Sequence, residues 1–360
     1  MGQMVATGFL SAFAGSRVLV TGHTGFKGSW LTFLLKEAGA EVLGYALPPE
    51  QATSHFTSLR LAQSIHHVEG DVRDVAKLTA AMREFQPEFV FHLAAQALVR
   101  LSYTDPQATF GTNVMGSVNL LEAVRHCESV RSLVYITSDK CYENQEWIWG
   151  YREDDRLGGQ DPYSASKAAA EIAFSAYARS FFPHRPELGA ASARAGNVIG
   201  GGDWAADRIV PDCIRAIRAG QPIRLRHPKS TRPWQHVLEP LSGYLLLAAR
   251  LRESPATYAG AWNFGPPSGE ARTVLNVAEC IISRFGRGSI SVEPDGAGLH
   301  EAQLLQLNCD KAQQLLGWRT RWNMEKTLAM TADWYKAVSE GVEASVVTRQ
   351  QLREYFPELK

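Results

Sequence analysis

From Arg17 onward, short runs of β-branched and aliphatic residues alternate with longer stretches whose apolar positions return every three or four residues. That rhythm is the signature of a parallel sheet flanked by helices. It predicts strands at residues 18–21, 41–45, 66–69, 89–93, 133–138 and 190–195, with helices at 27–38, 75–85, 111–127 and 163–182 between them. The fold class expected for residues 1–200 is therefore α/β, a Rossmann-type doubly wound parallel sheet.

After Gly200 the rhythm breaks. Gly and Pro punctuate shorter elements (Pro222, Pro228, Pro233, Pro266, Pro267), and helices are predicted at 207–219, 238–252, 274–285, 309–316 and 323–338. A smaller C-terminal α/β substrate-binding lobe is expected over residues 201–360, with the chain crossing between lobes near 230–270.

Composition narrows the function. The chain has 360 residues, and 37 Lys and Arg offset 37 Asp and Glu. With no basic excess to displace counterions, no nucleic-acid partner is expected. Five scattered cysteines without a CxxC pair read as reduced thiols in a cytoplasmic protein. No run approaches the roughly 18 apolar residues of a membrane span. The opening Met1 to Ser16 has no Lys or Arg ahead of its apolar residues, and Ala6 stands where a myristoylation signal needs Ser or Thr. Neither a signal peptide nor a lipid anchor is expected. The histidines show no HExxH or Cys/His ligand spacing, so no metal is expected.

Candidate chemistry begins between the first strand and first helix, where Gly22, Gly25 and Gly28 form G-x-x-G-x-x-G with His23, Thr24, Phe26 and Lys27 between them. Glycines let a diphosphate approach the backbone, and the helix N-terminus offers unpaired N–H groups. A dinucleotide is the expected cofactor. The second strand ends Gly44-Tyr45-Ala46-Leu47 without the carboxylate that normally holds a ribose 2′-hydroxyl. NAD remains preferred, with NADP open if His23 and Lys27 face a 2′-phosphate. Asp71 either accepts the adenine amino group or caps the next helix, a role that Asp74 fills better. Val72, and Leu93, Ala94 and Ala95 at the end of the fourth strand, complete the expected cofactor surface.

Tyr163 alone among the tyrosines has a lysine four positions on, Lys167, which a helix puts on the same face. An ammonium beside a phenol lowers its pKa toward the range where Tyr takes a proton from a sugar hydroxyl. Lys167 can also hold the nicotinamide ribose. Ser138, at the C-terminal end of the fifth strand, belongs at the crevice where such sheets bind ligands. The three groups can surround one hydroxyl.

The glycine pattern, the Ser-Tyr-Lys set and the length resemble the extended short-chain dehydrogenase/reductase superfamily. The strings TGHTGFKGSWL (21–31), HLAAQALVR (92–100), TSDKCY (137–142) and GGGDW (200–204) resemble the branch whose substrate is CDP-glucose. The resemblance implies a 4,6-dehydration: oxidation at carbon 4 with Tyr163 as base, loss of water across carbons 5 and 6, and reduction at carbon 6. It points to Asp139 and Lys140 as the elimination pair. Lys140 stands where relatives carry Glu, which leaves the division of labour open. It further implies substrate contacts from Gln96, Ser102, Asn197, Asp203, Trp204, Arg208, Arg232 and Glu301. Arg232 grips the diphosphate or is a surface arginine, Asn197 contacts the substrate or steadies a turn, and Trp204 stacks on the base or fills the lobe's core. Helices 111–127 and 163–182 are expected to build a homodimer or a dimer of dimers, or else to pack only on the sheet.

Overall fold

Side-chain alternation along the strands divides the apolar residues between two cores. The structure, a computed structural model, describes residues 8–267, 269, 271–292 and 304–359. Glu301 and Ala6, the residue behind the lipid-anchor reading, lie outside them.

Seven strands form one parallel sheet: β1 (Arg17–Thr21), β2 (Glu41–Ala46), β3 (His66–Glu69), β4 (Phe89–His92), β5 (Ser132–Ile136), β6 (Gly189–Ala195) and β7 (Gly260–Phe264). Their order is β7-β6-β5-β4-β1-β2-β3. Val18, Val20, Phe89, Phe91, Val134 and Ile136 face one core, while Leu19, Val90, Leu133 and Tyr135 face the other. Period-two alternation with both faces apolar is what burial under helices on each side requires. The order reverses between β1 and β4, which opens a crevice at the strands' C-terminal ends.

Helix α1 (Phe26–Glu37) lies on the first face, with Trp30, Leu31 and Leu34 fully buried. Helices α2 (Val75–Phe85), α3 (Ser117–Arg125) and α4 (Pro162–Ser180) cover the second. Asp74 caps α2 by accepting from the Lys77 amide at 3.0 Å. Asp161 caps α4 by accepting from Ser164 N at 2.9 Å, and Pro162 opens the helix with a preset φ. The helix expected at 111–127 is interrupted: residues Gly111–Gly116 form a π turn before α3 begins. A Cβ at Gly116 would meet the Val72 side chain at 2.6 Å, so the turn packs against the loop after β3.

The second half does not stay apart from the sheet. After α5 (Ile209–Arg218), helix α6 (Leu238–Glu253) packs on the first face and β7 extends the edge beside β6. What stands outside the sheet is α5, α7 (Val274–Phe285) and the short parallel pair of Ile223–Leu225 with Ile290–Val292. Helices α8 (Met324–Ser339) and α9 (Ala344–Tyr355) pack back toward α1. The Trp30 indole donates to the Gly201 carbonyl at 2.8 Å, tying α1 to the GGGDW loop.

Candidate active site

The glycine turn has the geometry that its composition implies. Gly22 has φ +75°, and a Cβ there would lie 2.7 Å from the Ala94 amide nitrogen. A Cβ at Gly28 would lie 2.1 Å from the Gly22 carbonyl, so the helix can meet the turn only through glycine. Gly25 begins α1 without a side-chain cap. The first-turn amides therefore keep no side-chain acceptor, the arrangement that suits a diphosphate. Thr24 Oγ1 donates to the Leu47 carbonyl at 2.9 Å, and Leu93 N and Ala94 N reach Thr21 at 3.1 and 3.3 Å. Phe26 packs on the first core. Ala95 follows in the same crevice-edge loop, next to Gln96.

Other residues of the expected cofactor surface are engaged elsewhere. His23 is buried, with Nε2 2.7 Å from His67 Nδ1, and burial together with nearby His67 pushes its imidazole down to about 3. A neutral ring turned toward β3 supplies no charge for a 2′-phosphate, which removes half of the argument for NADP. Asp71 is clasped by Arg73, whose guanidinium donates at 2.6 Å and whose amide donates at 2.8 Å. That clasp holds its carboxyl below the usual range. Val72 is buried under the π turn.

Around the crevice, charged groups from four segments converge. Ser138 Oγ donates to Asp139 Oδ1 at 2.9 Å and accepts from Lys140 N at 3.2 Å, and it lies within hydrogen-bonding reach of the Tyr163 phenol. Burial pushes Tyr163 up to about 12, against the Ser138 hydrogen bond that lowers it. The expected lowering by Lys167 is thus not what prevails: the desolvated phenol keeps its proton. Burial, then nearby Lys27, pushes Lys167 down to about 8. Burial, then Arg208, pushes Lys27 to about 8, while Asp139 acts in the opposite sense. Burial raises the Asp139 carboxyl despite Lys140, Ser138 and Lys27 beside it. The strength of these mutual effects puts Lys27, Lys167, Tyr163, Asp139 and Arg208 in one neighbourhood.

That donor set is short of negative charge. Arg208 has its own partner, Asp203, at 2.9 Å, but the carboxyl beside Lys27 is Asp139, and the one beside Lys167 is Glu171, already paired with Arg194 at 2.8 Å. An anionic dinucleotide fits both the cations and the open amides of α1.

Asp139 also lines a small open pocket with Gly196, Pro233, Pro266, Ala271 and Leu307. A Cβ at Gly196 would lie 2.9 Å from Asp139 Oδ2, so that glycine leaves room for the carboxylate. Asn197 precedes the short strand Val198–Ile199, and its carbonyl accepts from Gln235 N at 3.0 Å. Arg232 stands beside Pro233 in an antiparallel pair with Arg272.

Three expected substrate contacts have other occupations. Ser102 is fully buried; its hydroxyl donates to the Val99 carbonyl at 2.6 Å and accepts from the Tyr163 amide at 3.2 Å. Gln96 uses its side chain within its own loop, donating to Leu98 O and Thr109 Oγ1 and accepting from Leu98 N. Trp204 packs edge-on against Tyr335, with Arg218 over its ring at 4.8 Å, and so fills the lobe. Sequence reasoning missed the cavity walls and a buried Glu171–Arg194 pair behind the site. The one available signal was Glu171 itself, four residues beyond Lys167 on the same helical face.

Among the described residues no helix is long and apolar enough to cross a membrane, and no group of three His, Cys, Asp or Glu is placed to hold a metal ion.

Known proteins were compared with this geometry. Residues 19–331 match the family described as GDP-mannose 4,6 dehydratase. The chain is 48% identical over 346 residues to the CDP-glucose 4,6-dehydratase of Salmonella typhimurium, covering 95% of this chain and 96% of that protein. It is 26% identical over 336 residues to a dTDP-glucose 4,6-dehydratase of Xanthomonas campestris, covering 88% and 92%. Among solved structures, the Thermus thermophilus UDP-glucose 4-epimerase in complex with NAD superposes with a TM-score of 0.74 at 28% identity, covering 89% of this chain and 99% of that one.

Proposed function

The chain belongs to the GDP-mannose 4,6-dehydratase family and is a nucleotide-sugar dehydratase, and from that premise we propose that it converts CDP-glucose to CDP-4-keto-6-deoxyglucose with NAD. The observation that carries the reading is the convergence of Ser138, Asp139, Tyr163 and Lys167 beside the glycine turn. Similarity over nearly the full length of a CDP-glucose 4,6-dehydratase supports cytidine as the base.

NAD, when bound, supplies the group that accepts and later returns the hydrogen of the sugar. The turn Gly22–Gly28 and the start of α1 would hold its diphosphate, with Lys27 beside it, and Lys167 would hold the nicotinamide ribose. Ser138 and Tyr163 take the proton of the carbon-4 hydroxyl. A phenol held near 12 releases its own proton reluctantly, so the transfer needs Lys167 in its ammonium form close by. The carbon-4 carbonyl then acidifies the hydrogen at carbon 5. Asp139, whose carboxyl burial raises, gives a proton to the departing carbon-6 hydroxyl. Lys140, acting from its neutral amine form, takes the carbon-5 proton and becomes an ammonium. The division left open in the sequence is read this way because burial favours Asp139 as the acid.

Arg232, with Arg272 opposite it, grips the sugar diphosphate at the cavity rim. We assign Asn197, Asp203, Arg208 and Glu301 to substrate contacts, and residues 201–360, apart from the segment that rejoins the sheet, to the substrate lobe. Apolar Phe110, Met115 and Ile172 stand exposed along the helices beside α4 and on it, and we assign them to a homodimer or dimer-of-dimers contact. The five cysteines are unpaired, in keeping with a cytoplasmic setting.

The test is incubation of the purified protein with CDP-, dTDP-, UDP- and GDP-glucose, following the 4-keto product in alkali. Product from CDP-glucose that Tyr163→Phe reduces by about a hundredfold or more supports the reading. No product from any of them sinks it. A second enzyme class, epimerisation, would appear as a changed hexose without loss of water.

A further inference from the structure

Behind the crevice lies a fully enclosed ion pair. Glu171 and Arg194 meet at 2.8 Å with side chains only 2% and 4% exposed. Burying two charges costs more than their attraction commonly returns, so such a pair says little for stability and calls for another explanation. Its partners supply one. Glu171 Oε1 accepts from Thr137 Oγ1, and Oε2 accepts from Ser192 Oγ at 2.8 Å as well as from Arg194. Arg194 also donates to the Tyr142 phenol at 2.7 Å and to the Glu153 carbonyl at 2.8 Å, and Tyr142 donates to Asn263 Oδ1 at 2.8 Å.

These bonds join the segments that carry the catalytic groups. Thr137 immediately precedes Ser138 and Asp139, and its amide holds the Ala193 carbonyl of β6 at 2.9 Å. Glu171 lies one turn beyond Lys167 and two beyond Tyr163 on the same face of α4. Tyr142 closes the short loop that contains Asp139 and Lys140. Apart from the Tyr163 phenol facing Ser138, no other described hydrogen bond runs from an α4 side chain to the end of β5.

We infer that the Glu171–Arg194 pair is a positioning element for the reaction, which through Thr137 fixes Ser138 and Asp139 against Tyr163 and Lys167. The inference deepens the dehydratase reading and rests on it for its kinetic consequence. A charged pair suits this task because it is directional and all but one of its buried donors are taken, so the strand end cannot slide along the helix without stranding a charge.

Glu171→Gln would leave Arg194 buried without a counter-charge and would act through folding, so the decisive variants are Thr137→Val and Thr137→Ser. The first keeps the shape and removes the tether, and the second restores the hydroxyl. Expected is a fall in kcat of about tenfold for Thr137→Val with KM for CDP-glucose within about twofold, and recovery in Thr137→Ser. Crystal structures of the wild type and Thr137→Val provide the independent readout: the Ser138–Tyr163 contact should open in the valine variant. Wild-type turnover in Thr137→Val, a loss that serine does not recover, or an unchanged Ser138–Tyr163 contact would each overturn the inference. If the wild type makes no keto sugar, the dehydratase reading fails by itself, and the crystallographic contact still decides the positioning role.

Discussion

The Ser102 hydroxyl accepts a hydrogen bond from the Tyr163 backbone amide at 3.2 Å, joining the short helix Val99–Thr104 after β4 to the first turn of the helix that carries the phenol. One of the orphan donors of α4 is thereby satisfied by a residue 61 positions away, and the start of the catalytic helix is held from outside its own sequence.

Ser102→Ala should therefore act on turnover rather than on substrate affinity. A fall in kcat of roughly threefold to tenfold, with KM little changed, is the expectation for a small displacement of the phenol. Steady-state kinetics on the nucleotide sugar separate this from a direct sugar contact, which would show chiefly in KM.

Asp139→Asn keeps the size of the side chain and removes the proton that elimination needs. Oxidation at carbon 4 should survive while dehydration slows by about a hundredfold or more. The signature is reduced nicotinamide building up in the near ultraviolet during a single turnover. Wild-type rates of water loss would remove Asp139 from the acid role.

Lys27 and Lys167 are both held near 8 by burial, reinforced at Lys27 by Arg208 and at Lys167 by Lys27. A dinucleotide diphosphate nearby raises both, so cofactor binding close to pH 8 should take up protons, and affinity should weaken as pH rises above that value. Titration calorimetry in two buffers of different ionisation enthalpy measures the uptake, and Lys27→Met should reduce it. Zero uptake in the wild type would mean that neither ammonium lies by the diphosphate.

Glu239, wholly buried in α6, accepts from the amides of Arg321 and Trp322 at 3.0 and 2.8 Å and from the Tyr355 phenol at 2.6 Å. Burial nevertheless raises its carboxyl from 4.5 to about 7. A raised folded-state pKa gives a contribution to stability that is complete below the unfolded value and disappears as pH climbs through the folded one. Unfolding by denaturant across that window should show stability declining with pH, and Glu239→Gln should flatten the decline. An unchanged slope in the variant would assign the titration to another group.

The sheet and the glycine turn were legible because their signals are local. Alternation at Val18, Leu19 and Val20 already sorts the two cores, and Gly22 and Gly28 stand where any side chain would strike backbone. The roles of single polar residues were less so. Ser102 and Gln96 lie beside the crevice, yet their hydrogen bonds turn inward. Trp204 offered an aromatic face for a base and instead meets Tyr335. The return of α6 and β7 to the large sheet carries no local mark beyond a chain crossing expected near 230–270.

By itself the amino-acid order determined the element types, the phosphate-accepting turn and the shared helical face of Tyr163 and Lys167, since each depends on residues within a turn or two of one another. Only the tertiary structure decided which hydroxyls face inward, that His23 is neutral, and that Tyr163 is pushed up while Lys27 and Lys167 are pushed down. Desolvation and charge coupling sum over every neighbour in space, and those neighbours come from segments far apart along the chain.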